Sequence, residues 1–350
     1  MAIDHSVLQA ELAEHRQAVD VDFFDLSLRE LARMVEEREV RIAPEFQRQF
    51  RWNDQLQSAL VESFLLGLPV PAIFVATNGD GTWEVVDGLQ RICTLLRFMA
   101  IDAPESDLLH FSQRPLRLTG LKTLEGFQGV SYEDLPRPIK LMFERRYLRI
   151  QVLSDKSDLD VRFELFRRLN QGAVELSGQE VRACVYRGTL NTLVENLAEY
   201  EPYTRLLKLK EVDKRNGTAA EMVLKFFAYL DDVESFQGSV TGFLNEYMKK
   251  HTNITDTEAR RQEFHKCVDF LGAIVNGPFL RSGTKVTPLN HLEAVLVGIA
   301  RVFRAGKVPI RPEGDWLNDP EMLEFVRTGT NARRSVIGRV NRAEELFSPR

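Results

Sequence analysis

Leu28, Leu31, Met34 and Val35 recur at the three-to-four spacing of one helix face. Ser27 and Glu30 form a capping box ahead of them, so a helix is predicted over 27–35. Pro44 disfavours helix before it, and residues 41–52 read as extended or irregular. A second helix over 53–66 stops at Gly67. Strands are predicted at 71–77 and 82–86, joined through Asn78-Gly79-Asp80-Gly81, a strong hairpin-turn signal. A helix over 89–99 follows, and 102–138, spotted with Pro and Gly, reads as loops and short elements. Residues 148–153 form another strand candidate. From Leu159 onward helical spacing takes over, most clearly at 218–229, 258–275, 289–303 and 322–327.

No convincing strand follows residue 188. The pattern therefore predicts an α+β chain: a polar leader over 1–24, an α/β domain over 25–187 and an all-helical domain over 188–350. Helices can pack onto either core, so the pattern alone leaves that boundary open between about 155 and 235. A length of 350 residues also suggests two domains at ~150 residues each.

Composition narrows the function. With 44% hydrophobic and 28% charged residues the chain is ordinarily globular, and its net charge of -5 argues against coating nucleic acid by bulk electrostatics. Contact with nucleic acid would need local basic patches. Cys93, Cys184 and Cys267 lie far apart without a CxxC pair, which predicts buried thiols rather than a zinc site or disulfides. Residues 1–20 lack the apolar core of a signal peptide, and no run approaches the ~18 apolar residues of a membrane span. A soluble, cytoplasmic protein with no membrane partner is expected.

Three polar clusters stand out. Pro44-Glu45-Phe46-Gln47-Arg48-Gln49-Phe50-Arg51-Trp52 sets arginines among aromatics, a pattern that holds a phosphate beside a base or anchors an edge loop. Val85-Val86-Asp87-Gly88-Leu89-Gln90-Arg91 runs an apolar strand into a glycine and a helix start. Such a start offers unpaired N–H groups and a positive dipole end, and Arg91 adds a fork of donors suited to phosphate. The plainer alternative makes Asp87 an N-cap and Arg91 a solvated arginine. The third cluster runs from Phe163 to Gly172 and from Leu176 to Arg182. In it Asn170 to Gly172 ends a helix, and Ser177 with Glu180 forms a capping box that would, by itself, only close the next helix.

Several chemistries are absent: no GxxxxGK[ST] loop, HExxH, GxSxG or EF-hand loop occurs, and the six histidines show no ligand spacing. The C-terminal stretch 331–342 is a basic helix candidate. Its Arg333, Arg334, Arg339 and Arg342 could touch DNA, RNA or an acidic partner, or form a solvated face.

Together the clusters resemble the N-terminal, GmrS-type part of GmrSD restriction systems, within the ParB/sulfiredoxin-like superfamily. That family carries P-x-x-QR-x-x-x-W, then a strand ending in DG-x-QR, then F-x-x-LN-x-G-x-x-L-S-x-x-E-x-R. This chain supplies Pro44, Gln47, Arg48 and Trp52. It then supplies Asp87, Gly88, Gln90 and Arg91, followed by Phe166, Leu169, Asn170, Gly172, Leu176, Ser177, Glu180 and Arg182. Leu89 inside the second motif and the Gly172-Ala173 step are mild departures. The resemblance covers roughly 25–230.

It implies a ParB/sulfiredoxin-like nucleotide-binding domain that serves bacterial defence against phage or foreign DNA. By position, Gln47 and Arg48 would contact phosphate or base, and Gly88, Gln90 and Arg91 would cradle phosphates. Asp87, Asn170 and Glu180 would be catalytic, with Asn170 and Glu180 supporting Mg2+. The expected cofactors are an NTP and Mg2+, because triphosphate charge needs neutralising before water attacks. The expected partners are DNA, an effector protein encoded nearby and a second copy of the chain. NTP hydrolysis leads; a nuclease and a non-enzymatic nucleotide- or DNA-sensing scaffold remain the alternatives. GmrSD-type proteins often continue into an HNH nuclease domain, a pattern not found here.

Overall fold

A hairpin lies inside the sheet. In the computed structural model, which describes residues 8, 21–42, 52–102, 111–154, 159–169, 177–214 and 216–349, β3 (Ile73–Thr77) and β4 (Trp83–Asp87) pair antiparallel. Their turn forms as the sequence dictates. Asn78 accepts at its carbonyl from the Gly81 N–H at 2.9 Å, Asp80 Oδ1 accepts from the Thr82 N–H at 3.1 Å, and Gly81 takes φ +82°.

β5 (Tyr147–Leu153) runs parallel to β3 and antiparallel to β1 (Val21–Ser27), and β2 (Val40–Arg41) runs parallel to β4. The order is β1-β5-β3-β4-β2. The sequence pattern predicts no strand at 21–27. Its adjacent Phe23 and Phe24 break the period of two, and an edge strand with four exposed residues in succession carries no buried stripe to read.

Helices pack on this sheet. α1 (Leu28–Glu36) is capped by Ser27, and α2 (Asp54–Leu66) starts at an Asn53 cap and stops at Gly67, φ +76°. α3 (Leu89–Met99), α4 (Arg137–Glu144) and α5 (Leu159–Leu169) follow. Ile73, Val75, Val85, Ile92, Leu96, Leu148 and Ile150 are buried together in sequence-predicted strand and helix positions. Each such side chain contributes ~1.5–3 kcal/mol when fully buried. α2 packs against α3, and α5 against β4.

The chain divides into two compact units, Met1–Val174 and Glu175–Arg350. The described elements of the second are helices: α6 (Gly178–Val185), α7 (Thr189–Ala198), α8 (Glu201–Leu206), α9 (Thr218–Asp232), α10 (Val240–His251), α11 (Thr257–Val275), α12 (Leu289–Arg304), α13 (Pro320–Arg327) and α14 (Arg333–Phe347). α12 is buried almost all round, as its apolar run from Ala294 to Ala300 requires. Gly298 lets α14 approach it closely: a Cβ there would lie 2.6 Å from the Cβ of Ala343. No helix among the described residues is long and apolar enough to cross a membrane.

Candidate functional site

Asp87 reaches its place through an irregularity in β4. Val75 pairs with Val85 while Phe74 pairs with Asp87, so β4 carries one extra residue, Val86. Such a bulge re-aims the side chains beyond it. Here it buries both Val85 and Val86 and sets Asp87 opposite Phe74. Because residues paired across strands share a face, Phe23, Gln151, Phe74 and Asp87 form one row across four strands.

The next residue turns the chain into α3. Gly88 is the N-cap, with φ +101° and no side-chain capping bond. A Cβ on Gly88 would sit 2.7 Å from Ile73 Cγ1 and 3.1 Å from Arg91 Nη2. Glycine is therefore demanded by backbone conformation and by packing, before any ligand is considered. Asp87 is not the N-cap that the plainer reading of this motif makes it. Its Oδ2 accepts from Arg91 Nη2 at 2.8 Å, and the same nitrogen donates to the Ala72 carbonyl at 3.1 Å. The Arg91 side chain is only 15% exposed, and its Nε is buried without a partner.

Gln90 joins the first cluster to the second. Its Oε1 accepts from the Trp52 N–H at 3.1 Å, while Gln57 Nε2 donates to the Trp52 carbonyl at 2.7 Å. Arg97, two turns along α3, donates to Gln57 Oε1 at 3.1 Å and to Asp54 Oδ1 at 2.7 Å. The end of the first motif is thus clamped onto the helix that the second motif starts. Gln47 and Arg48 themselves lie outside the described residues. So does Asn170, although α5, the helix that leads to it, packs against β4.

Sequence reasoning missed a groove beside this cluster. A cavity of about 1150 Å³ is lined by Phe64, Leu68, Ala72, Arg145, Arg146 and Arg149 among others. Ala72 belongs to its wall and also accepts from Arg91, so one backbone carbonyl links the two. Arg149 is held by Asp25 through two 2.9 Å bonds, and Arg146 Nη2 donates to the Leu65 carbonyl at 3.2 Å, near the negative end of α2. These arginines sit at the α4–β5 joint, where their spacing matches no motif; only the fold brings them to Ala72.

The family described as GmrSD restriction endonuclease, N-terminal domain, matches this chain over residues 31–187. These residues are a GmrSD-type N-terminal domain. For this part of the chain the match points to the restriction class. No curated protein and no solved structure matches it.

The GmrSD-type match ends just beyond α6, where the third motif closes. There Glu180 completes a capping box: its Oε2 accepts from the Ser177 N–H at 2.8 Å, and Ser177 Oγ accepts from the Glu180 N–H at 3.1 Å. Arg182, 2% exposed, pairs with Glu221 at 2.6 Å. Burial opposes the charge on Arg182, and the Glu221 carboxylate holds it. The third motif's charged residues therefore act inside the second unit, securing α6.

Beyond the GmrSD-type match, the expectation of a four-arginine contact face on α14 is corrected at one position. Arg339 is 1% exposed and ion-pairs with the equally buried Glu293, because the turn of α14 that carries it faces α12. Arg342 is held by Asp319 at 2.8 Å and Arg333 by Glu234 at 3.2 Å. Arg334, 85% exposed, faces water beside Glu324.

Proposed function

We propose that the first unit binds a nucleoside triphosphate at the start of α3 and hydrolyses it, as the regulatory part of a restriction module. The observation that carries this reading is the Trp52–Gln90 bond, because it ties two motifs distant in sequence to one uncapped, glycine-led helix start. The dipole of a helix start without a side-chain cap favours a phosphate. The groove beyond Ala72 provides room and guanidinium charge for the rest of a nucleotide.

Arg91 and Asp87 share the work. An incoming phosphate competes with Asp87 for the Arg91 guanidinium, and charge-assisted bonds to phosphate are strong enough to do so. Released from Arg91, Asp87 would hold Mg2+. No group of three His, Cys, Asp or Glu side chains that could cage a metal occurs among the described residues. Such a Mg2+ would be held mainly by phosphate oxygens with one carboxylate, the usual arrangement at triphosphate sites. The ion would neutralise triphosphate charge. Asn170 would help position the attacking water, on the strength of its motif and of α5 packing on β4. Glu180 has no part in this reading, since its carboxylate is used in the cap.

Phosphate release from each of the four common NTPs, with and without Mg2+, tests the proposal. Release that needs Mg2+ and collapses in Asp87→Ala and Asn170→Ala is expected. Tight binding without release would make the domain a nucleotide-sensing scaffold instead.

A further inference from the structure

Most described arginines of the second unit are neutralised. Arg182, Arg260, Arg301, Arg304, Arg339 and Arg342 each have a carboxylate within ion-pair distance. Arg281, Arg311 and Arg327 have none among the described residues. Moreover, Arg281 Nη1 is buried without a hydrogen-bond partner.

Arg281 and Arg327 belong to segments that flank the start of α12, near enough for the charge of Arg281 to act on His291 and that of Arg327 on Arg281. The Phe279 ring packs edge-on against His291, centroids 5.1 Å apart, which brings the 279–281 segment to the first turn of α12. On another side, Asn290 Nδ2 donates to the carbonyl of Val326, the residue before Arg327, at 3.1 Å. His291 itself is fully buried, and neither ring nitrogen has a hydrogen-bond partner. The helix start has Pro288 as its N-cap and no side-chain capping bond. The nearby Asp319 carboxylate is already bound by Arg342 and by the Met322 N–H. Two unpaired guanidiniums, an unsatisfied imidazole and a helix start without a side-chain cap thus lie near one another, and the nearby Asp319 carboxylate is committed to Arg342.

We propose that Arg281, Arg327 and His291, at the start of α12, bind a phosphate group. A carboxylate would answer one guanidinium, whereas a phosphate carries charge and lone pairs enough for both and for the imidazole N–H. The group belongs either to a small phosphorylated molecule or to a nucleic-acid backbone. The site is independent of the nucleotide reading for the first unit, so either can fail alone.

The test follows the His291 ring resonances of the full chain by NMR during titration with inorganic phosphate, then with a short DNA duplex. Phosphate should move them and raise the pH at which His291 protonates, since a bound anion favours imidazolium. Arg281→Gln and the more exposed Arg327→Gln should each weaken the response about tenfold, the loss of one charged hydrogen bond. A response to the duplex alone would assign the site to nucleic-acid phosphates. No movement with either probe would overturn the proposal, and so would movement undiminished in both variants.

Discussion

The main-chain N–H of Trp52 donates to the side chain of Gln90 at 3.1 Å, and this single bond joins the first motif of the chain to the second. Gln90 can serve there because it stands in the first turn of α3, where its side chain reaches back past the helix end. Gln90→Ala should leave the Trp52 N–H without this partner. Hydrogen exchange at the Trp52 amide is expected to be faster in Gln90→Ala than in wild type. An unchanged exchange rate would show that this bond does not hold Trp52.

Gly88→Ala should destabilise the first unit by about 1–3 kcal/mol, since a positive φ and a close Ile73 both oppose a side chain. Urea unfolding followed by Trp fluorescence measures this. Gly81→Ala, also at positive φ but with open space around its Cβ, should cost less.

Arg339 and Glu293 form a buried pair, so removing Arg339 leaves the buried Glu293 carboxylate with only the longer 3.8 Å pairing to Lys225. Arg339→Met should cost about 3–5 kcal/mol, and pairing it with Glu293→Leu should recover much of the loss. Arg334→Ala, on an exposed side chain, should leave the melting temperature nearly unchanged. Equal, small effects of Arg339→Met and Arg334→Ala would restore the surface role expected from sequence.

His291 makes stability depend on acid. Burial, and then the charge of Arg281, lowers its pKa from 6.5 to about 4, against a smaller opposing pull from Asp319. The native state keeps the ring neutral while the unfolded chain takes up a proton below about 6.5. Stability should fall as pH drops from about 6.5 towards 4, by roughly 3 kcal/mol in all. His291→Leu should flatten that slope in urea unfolding measured across this range. A slope identical to wild type would mean the ring is already satisfied in solution.

Much of this was legible in the chain because local rules and the fold agree. Asn53 caps α2, Gly67 ends it, and the turn around Gly81 joins β3 to β4, each for the reason its residue type suggests. The Gly88 start of α3 was equally plain. What stayed hidden depends on neighbours distant in sequence. β1 lacks a buried stripe, and the bulge at Val86 appears only once Phe74 is paired with Asp87. Arg339 reads as one more basic residue until Glu293, 46 positions away, is found beside it. The groove arginines matter only because Arg91 and the groove share Ala72.

Hydrogen exchange with and without each NTP and Mg2+ tests the central claim most directly, because it reports where a ligand lies. Bound nucleotide should slow exchange at the amides of residues 88–92 and at Trp52, with Asp87→Ala and Arg91→Ala losing the effect. Nucleotide that binds yet leaves those amides unprotected would contradict the account.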